Sequence, residues 1–159
     1  MNRCFFSRAA LSALLLIFAA FARAADGNEQ DQIAILQSTA SPHDKQDACL
    51  QLKRIGTEQS IPALAALLTD EQLSHSARFT LESMQSPAAG AALLDALPKT
   101  SGLLKVGIIN SLAARKDEAA IDAIGGLLGD ANEEIAVAAS EGLGKIGGVK
   151  SLAALESAP

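Results

Sequence analysis

Hydrophobic residues recur along this chain at two spacings, a short one typical of helices and a long one of about 30 residues. Four anchor leucines mark the long spacing at nearly equal intervals: Leu52, Leu81, Leu112 and Leu143. Apolar residues stand four positions before and twelve after each anchor leucine, and in most units also eight before and nine after. Because an α-helix turns every 3.6 residues, these positions form two stripes on two successive helices. Each unit is predicted to be a helix–turn–helix.

Neither helix of such a unit can bury its apolar stripe alone, whereas stacked units share one continuous core. We therefore expect an all-α fold, a right-handed α-solenoid of about four repeats with a leading half-repeat. The expected segments are a leader with an N-terminal capping helix and then four units, at residues 25–40, 41–69, 70–99, 100–129 and 130–159.

Capping residues stand where the helix pattern requires helix ends. Ser41 and Ser86 each precede a proline, which is typical of an N-cap followed by the first helical residue. Pro98 is expected to end the second helix of the second unit. Asp70 and Asp130 occupy matching turns two units apart, and helix capping explains them better than metal binding does.

The sequence ends inside the predicted last helix, at Ala158 and Pro159, where the first unit has two leucines. Solenoids generally carry polar capping units at their ends. We therefore expect the chain to be a fragment of a longer protein that continues beyond residue 159.

The segment "EEIAVAASEGLGKIGG" resembles the first-helix pattern of short bacterial HEAT repeats, also called phycobilisome-lyase-like, which reads roughly V-R-x-A-A-x-A-L-G-x-I-G. The matching positions are Ile135, Ala139, Leu143, Gly144, Ile146 and Gly147. The resemblance extends over about residues 41–159. Three features depart from the pattern: the unit is shorter than the ~40–47 residues of longer HEAT repeats, Ala136 replaces the usual Arg, and Arg115-Lys116 replace Ile-Gly.

This resemblance implies an exported bacterial protein, of a kind sometimes joined to enzymatic or cytochrome modules. It also raises a lyase-like activity toward a chromophore, but a bilin pocket would need aromatic side chains. Four of the five Phe residues lie before position 25, so the remainder of the chain offers Phe79 alone.

The N-terminus has the features of a cleaved secretory signal. Arg3 and Arg8 precede an apolar run from Leu11 to Phe21, and Ala22-Arg23-Ala24 supplies small residues for cleavage after Ala24. A helix of that length rises only about 16 Å, roughly half the hydrocarbon core of a bilayer. We expect an exported protein, periplasmic or extracellular, without membrane attachment after cleavage.

Charge and cysteine content exclude several kinds of site. Without the three arginines of the signal, 10 basic residues face 18 acidic ones, and the net charge near −8 disfavours nucleic acid as a partner. Cys49 would be the single remaining cysteine, which leaves no internal disulfide and no cysteine metal cluster. We expect Cys49 to be a small buried apolar residue rather than a reactive thiol.

The polar residues form no recognisable catalytic or metal-binding pattern. His43 and His75 share no ligand spacing with each other or with Cys49. Ser74 and His75 are adjacent on one predicted helix, so they point about 100° apart and cannot form a triad. We expect no catalytic residue, no metal and no cofactor.

Two arginines on the first helices are expected to form ion pairs. Arg78 and Arg115 lie within reach of acidic residues such as Asp117 and Glu118, either in solvent or across a repeat boundary. Exposed pairs of this kind contribute at most about 1 kcal/mol.

The stretch from Gly142 to Gly147 formally matches the dinucleotide fingerprint G-x-G-x-x-G. The fingerprint requires a strand before it and an acidic residue about 20 positions later, but the sequence given ends at Pro159, well short of that distance from Gly147. Gly142 and Gly144 are instead expected to allow close helix packing, and Gly147-Gly148 to form the turn between paired helices.

The sequence therefore predicts a protein-interaction or scaffolding module without chemistry of its own, which binds a protein partner or another domain of the same polypeptide. The alternatives are an accessory spacer domain of a larger exported enzyme or cytochrome-type protein and, least favoured, a lyase-like protein. Binding is expected on the face formed by the second helices, with these outward residues: Gln59, Ala63, Ala66, Ala88, Asp95, Asp122 and Gly126. His75 and Arg78 are further candidates on a first helix.

Overall fold

The structure, a computed structural model, describes residues 28–157, and within this range it contains nine α-helices and no strand. The helices are α1 (28–37), α2 (Pro42–Ile55), α3 (Ile61–Ala65), α4 (Ser74–Ser83), α5 (Pro87–Ala96), α6 (Gly102–Ala114), α7 (Ile121–Gly125), α8 (Glu133–Ile146) and α9 (Gly148–Glu156). Short 3-10 turns precede α3 and α7 and follow α5. The predicted signal peptide, and Ala158 with Pro159, lie outside the described residues.

The helices stack as pairs in two layers, which confirms the α-solenoid. The first helices α2, α4, α6 and α8 pack side by side in one layer. In the second layer α3 packs against α5 and α7 against α9, and each second helix also packs on a first helix. All four anchor leucines are 0 % exposed and lie in the core between the two layers. The regular spacing of the anchor leucines along the sequence therefore reflects the regular stacking of the units around one shared core.

One contact recurs wherever two first helices meet. At each boundary, the residue three positions before the anchor leucine of one unit contacts the residue one position before the anchor leucine of the next unit. Thr80 Oγ1 donates to the carbonyl of Cys49 over 2.9 Å, and Arg78 donates to Ser111 Oγ over 3.2 Å. At the α6–α8 boundary Gly142 is so close to Ile109 that a Cβ on the glycine would lie 3.0 Å from Ile109 Cγ2. The small residue one position before each of these anchor leucines therefore lets the first helix of the preceding unit approach closely.

The expected ion pairs of Arg78 and Arg115 are wrong, because both guanidinium groups bind backbone carbonyls across a repeat boundary. Arg78 donates to the carbonyl of Gly107 over 2.9 Å. Arg115, at the end of α6, donates to the last carbonyls of α4 and to Ser86 at the start of α5. The carbonyl end of a helix carries partial negative charge and lacks intrahelical donors, so a cation from the next unit satisfies it.

The helix ends follow the capping residues in the sequence. Ser41 Oγ accepts the N–H of Asp44, and Ser86 Oγ accepts that of Ala88. Asp70 and Asp130 accept backbone N–H groups two residues later, at 2.8 and 2.9 Å, in the turns that lead into α4 and α8. The N-cap of α8 itself is Asn132, whose side chain accepts the N–H of Glu134.

Helix α1 covers the start of the array. Ile33 and Leu36 on this helix are 8 % and 3 % exposed and belong to the shared core. Glu29 is 2 % exposed, and one of its carboxylate oxygens accepts the N–H of Thr57 over 2.6 Å. Helix α1, the leading half-repeat, therefore packs on the first unit through apolar contacts and binds it through a charge-assisted hydrogen bond.

The glycines near the last unit have three different roles. The predicted turn at Gly147 and Gly148 is confirmed, since both have positive φ, at 74° and 81°. Gly142 provides the expected close approach to α6. Gly144 does not, because no atom outside its own helix lies within 4 Å of where its Cβ would be.

Cys49 is 1 % exposed in the α2–α4 boundary, and burial raises the pKa of its thiol to about 11. The thiol form therefore dominates throughout the physiological range, which confirms that Cys49 packs as a small apolar residue.

Replacing Arg115 with Ala should lower the free energy of unfolding by about 2–3 kcal/mol, because several buried carbonyls lose a charged donor. Arg115→Lys should recover only part of this loss, since an ammonium cannot span the same set of acceptors. Urea denaturation measures the effect. Arg54→Ala, at an exposed arginine, is the matched control and should cost less than about 0.5 kcal/mol. Equal losses for Arg115 and Arg54 would contradict the capping role.

The substitution Gly144→Ala should raise the free energy of unfolding by about 1 kcal/mol, because alanine favours a helix and the added methyl meets nothing in its own chain. The substitution Gly142→Ala should raise the free energy of unfolding by less, or should lower it, because its methyl group would press on Ile109. Thermal and urea unfolding of both variants at low concentration checks the ranking, and a Gly142→Ala chain that is the more stable of the two would refute it.

In a Cys4→Ser chain, Cys49 should react with a thiol reagent at pH 8 about 100-fold more slowly than a free cysteine, because the raised pKa lowers the thiolate fraction and burial blocks access. Denaturant should restore the ordinary rate. Fast labelling of the native chain would show that the α2–α4 boundary opens readily.

Candidate functional site

The exposed surface of α3, α5, α7 and α9, called the second-helix face below, carries three grooves among the described residues. They lie between α3 and α5, between α5 and α7, and between α7 and α9, with volumes of about 330, 540 and 550 Å³. The two outer grooves lie where the facing side chains of neighbouring second helices are short.

The two outer grooves are lined by small side chains with charges at the rim. Asp95 and Lys99 flank alanines in the α3–α5 groove. Asp122 and Lys150 flank the α7–α9 groove, where a Cβ on Gly125 would lie 3.5 Å from Ala154 Cβ. These two grooves therefore combine small lining side chains with charges of both signs at their edges.

The central groove between α5 and α7 differs because larger apolar side chains line it. Its lining comprises Leu94, Leu97, Pro98, Ala123 and Leu127, with the cation of Lys105 beside them.

The alanines that stand eleven positions after the anchor leucines differ in what they contact, and this difference explains the central groove. Ala154 packs against the preceding helix α7, whereas its equivalent Ala123 is exposed toward α5. The boundary between the second and third units is therefore the one where the second helices stand apart and leave apolar surface uncovered.

Six of the seven predicted residues on the second-helix side are exposed: Gln59, Ala66, Ala88, Asp95, Asp122 and Gly126. Ala63 is not, at 5 % exposure, so the expectation that it faces outward is wrong. Ala63 belongs instead to the shared core, together with Ile33 and Leu36 of α1.

Gln59 and the lining residues of the outer grooves occupy different parts of this face. Gln59 accepts a hydrogen bond of 2.8 Å from Gln30 of the half-repeat. Ala88 and Asp95 line the α3–α5 groove, and Asp122 lines the α7–α9 groove.

His75 and Arg78 lie on the opposite layer, near Phe79. The His75 ring stacks on the half-exposed Phe79 ring with centroids 6.4 Å apart, and the Lys53 ammonium lies 3.3 Å from the Phe79 centroid. Burial lowers the pKa of Arg78, which Glu82 opposes. The backbone and hydroxyl contacts of Arg78 make it a link between units rather than a free binding group.

The apolar lining of the central groove was missed by the sequence reasoning. A signal existed at the position thirteen after each anchor, where Ala65 and Gly125 are small but Leu94 is large. A bulky residue at that position holds the neighbouring second helix away.

Between residues 28 and 157, the polar residues considered for a hydrolytic triad or a metal site do not come together. Ser74 is buried at 1 % while His75 is exposed, so the adjacent pair does not meet. No group of three His, Cys, Asp or Glu side chains in this range could hold a metal ion. The helices described are also too short or too polar to cross a membrane.

The stretch that matches the dinucleotide fingerprint is helical. Ile135 and Ala139, in the supposed strand, lie in α8, which continues to Ile146. The strand–loop–helix context that a pyrophosphate site requires is therefore absent from this segment.

The sequence profile of HEAT repeats matches residues 90–158, which run from the middle of α5 through α9, while no curated protein matches the chain. The helix pairs α2–α3 and α4–α5 repeat the arrangement of the matched pairs α6–α7 and α8–α9. Residues 90–158 of this chain are therefore similar to HEAT repeats, and the preceding helix pairs share their arrangement.

Proposed function

We propose that this protein is an exported protein-interaction module that binds a partner segment along its second-helix face, with the central groove as the main seat. HEAT repeats commonly serve protein–protein interaction, and stacked repeats present extended surfaces for this purpose. The observation that carries the proposal is the apolar groove of about 540 Å³ between α5 and α7.

The groove lining indicates the chemistry of the partner. Leu94, Leu97 and Leu127 offer apolar walls that a leucine-sized side chain of the partner could contact. Full burial of such a side chain stabilises a complex by about 1.5–3 kcal/mol. Lys105 beside the groove favours an acidic residue next to that side chain. The partner segment is therefore apolar with an adjacent carboxylate.

The outer grooves extend the contact in both directions. Their short side chains allow a partner backbone to approach, and Asp95, Lys99, Asp122 and Lys150 provide charges of both signs at the rims. Such rim charges set the register of a bound segment more than its affinity.

The module acts without catalysis, metal or cofactor, and its partner is a protein or another domain of the same polypeptide. In the sequence, the basic start, apolar run and small residues before position 25 support export to the periplasm or cell exterior with cleavage after Ala24. The chain acts there without membrane attachment and without nucleic acid. The HEAT-repeat subtype of exported bacterial proteins is part of this proposal.

The substitution Ala123→Trp should abolish partner binding, because an indole at this exposed position fills the central groove. Immobilised chain is used to capture proteins from the exported fraction of the native cells, and captured proteins are quantified by mass spectrometry. Proteins held by the wild-type chain should be reduced at least about tenfold on the Ala123→Trp chain, which corresponds to about 1.4 kcal/mol.

Ala114→Trp is the matched control, because Ala114 is an exposed alanine at the end of a first helix. This variant should retain the captured proteins, and circular dichroism should show both variants folded. Reproducible capture of nothing, or equal loss with both tryptophan variants, would contradict binding at the second-helix face.

A further inference from the structure

The turn after α2 and the turn after α4 enclose a pocket of about 370 Å³, called the turn pocket below. Its lining comprises Lys53 and residues 56–58 on one side and residues 83–86 on the other. The turn pocket lies at the start of α5, whereas the central groove begins at the other end of that helix. The two sites share no lining residue, so the turn pocket is a separate surface.

The last turn of α2 presents backbone carbonyls that receive no hydrogen bond from residues 28–157, namely those of Lys53 and Ile55. The N–H of Thr57, four residues after Lys53, donates to Glu29 over 2.6 Å instead. The N–H of Gln59, four residues after Ile55, donates to the Thr57 hydroxyl over 3.3 Å. The contact with the leading half-repeat and the turn itself therefore divert the donors that would otherwise continue the helix.

At the next boundary, a guanidinium group binds the carbonyls at the same register. Glu82 and Met84 stand in the second unit where Lys53 and Ile55 stand in the first, and both of their carbonyls accept hydrogen bonds from Arg115. The carbonyl end of a helix carries partial negative charge, which favours such a cation. The chain itself therefore shows that a guanidinium group fits the end of a first helix.

The residue that reaches the end of α2 from the second unit is Met84. It stands three positions after its anchor leucine, as Arg115 does in the third unit. Its Cε lies 2.9 Å from where a Cβ on Gly56 would be, so its side chain extends to the turn after α2. A thioether has no hydrogen-bond donor, so Met84 leaves the carbonyls of α2 to a donor from another molecule.

The charges at the turn pocket also favour a cation. Glu58 Oε1 accepts a hydrogen bond of 2.5 Å from Ser86 Oγ, which holds the carboxylate at the pocket. No cation from residues 28–157 lies within 4.0 Å of this carboxylate. The ammonium group of Lys53 lies 3.3 Å from the centroid of Phe79, a residue outside the lining. The turn pocket therefore combines a helix end with a carboxylate that has no ion pair in the described part of the chain.

We propose that the turn pocket binds the guanidinium group of an arginine side chain from a protein partner, as the end of α4 binds Arg115. The guanidinium group donates to the carbonyls of Lys53 and Ile55 and pairs with the carboxylate of Glu58. Arginine suits these acceptors better than lysine, because its planar group presents five N–H donors in a fixed arrangement. The proposal does not depend on binding at the central groove.

Titration of the isotope-labelled chain with Nα-acetyl-arginine amide, followed by NMR of the backbone amides, tests the proposal. The amide signals of Thr57, Glu58 and Gln85 should shift and reach saturation. Nα-acetyl-lysine amide at the same ionic strength should bind at least about threefold more weakly, because an ammonium group cannot span the same acceptors. Equal affinities for the two probes, or shifts that are absent or never saturate, would overturn the proposal.

The substitution Glu58→Gln should weaken binding of the arginine probe at least about threefold, because it removes the charge-assisted contact. Glu118→Gln is the matched control, since Glu118 is an exposed carboxylate at the same register in the third unit, and it should leave the affinity unchanged. Equal effects of the two substitutions would contradict a site at the turn pocket. Ala123→Trp should also leave the affinity unchanged, so this experiment and the test of the central groove fail independently.

The substitution Met84→Arg should abolish the saturable shifts, because the guanidinium group of the chain itself then binds the end of α2. Met84→Leu, which keeps an apolar side chain, should retain binding of the arginine probe. Circular dichroism checks that both variants are folded. A folded Met84→Arg chain that binds the probe as tightly as the wild type would refute the proposal, and the comparison of Glu58 with Glu118 decides it if this variant does not fold.

Discussion

The array depends on the contact between successive first helices. In this contact the residue three positions before one anchor leucine packs against a small residue that stands directly before the next anchor leucine. Thr80, Ser111 and Gly142 fill the latter position, and each allows a different neighbour to approach: a carbonyl, a guanidinium and a branched side chain. Because protein interiors tolerate few voids, this one position fixes how closely the first helices stack. The spacing of the second helices depends in addition on the side chains between them, such as Leu94.

Arginine replaces apolar packing at the middle of the array. Arg78 and Arg115 both cross a repeat boundary to bind carbonyls, and Arg115 takes the place where the family pattern has an apolar residue. A buried cation costs desolvation energy, which several charge-assisted hydrogen bonds offset. At this level of the chain Leu94 also separates α5 from α7. The apolar central groove and the arginine links therefore belong to the same less regular region.

Much of the fold could be predicted from local patterns. The anchor leucines, the serine caps and the turn at Gly147 each require only nearby residues, and all behave in the structure as the sequence indicates. The predictions for Ala63, Gly144 and the two arginines failed for a common reason. Each depends on what lies across a boundary between units, and that neighbour is about 30 residues away in the chain.

The sequence by itself determined the all-helical class, the repeat length, the position of the helix ends and the absence of a dinucleotide fold at Gly142–Gly147. These follow from periodicity and capping, which act within a few residues. The tertiary structure alone decided which glycine is packed and which is open, which alanines face outward, and that α5 and α7 stand apart. Those properties depend on the volume of side chains from two units together, and no single stretch of the sequence contains both sides of such a contact.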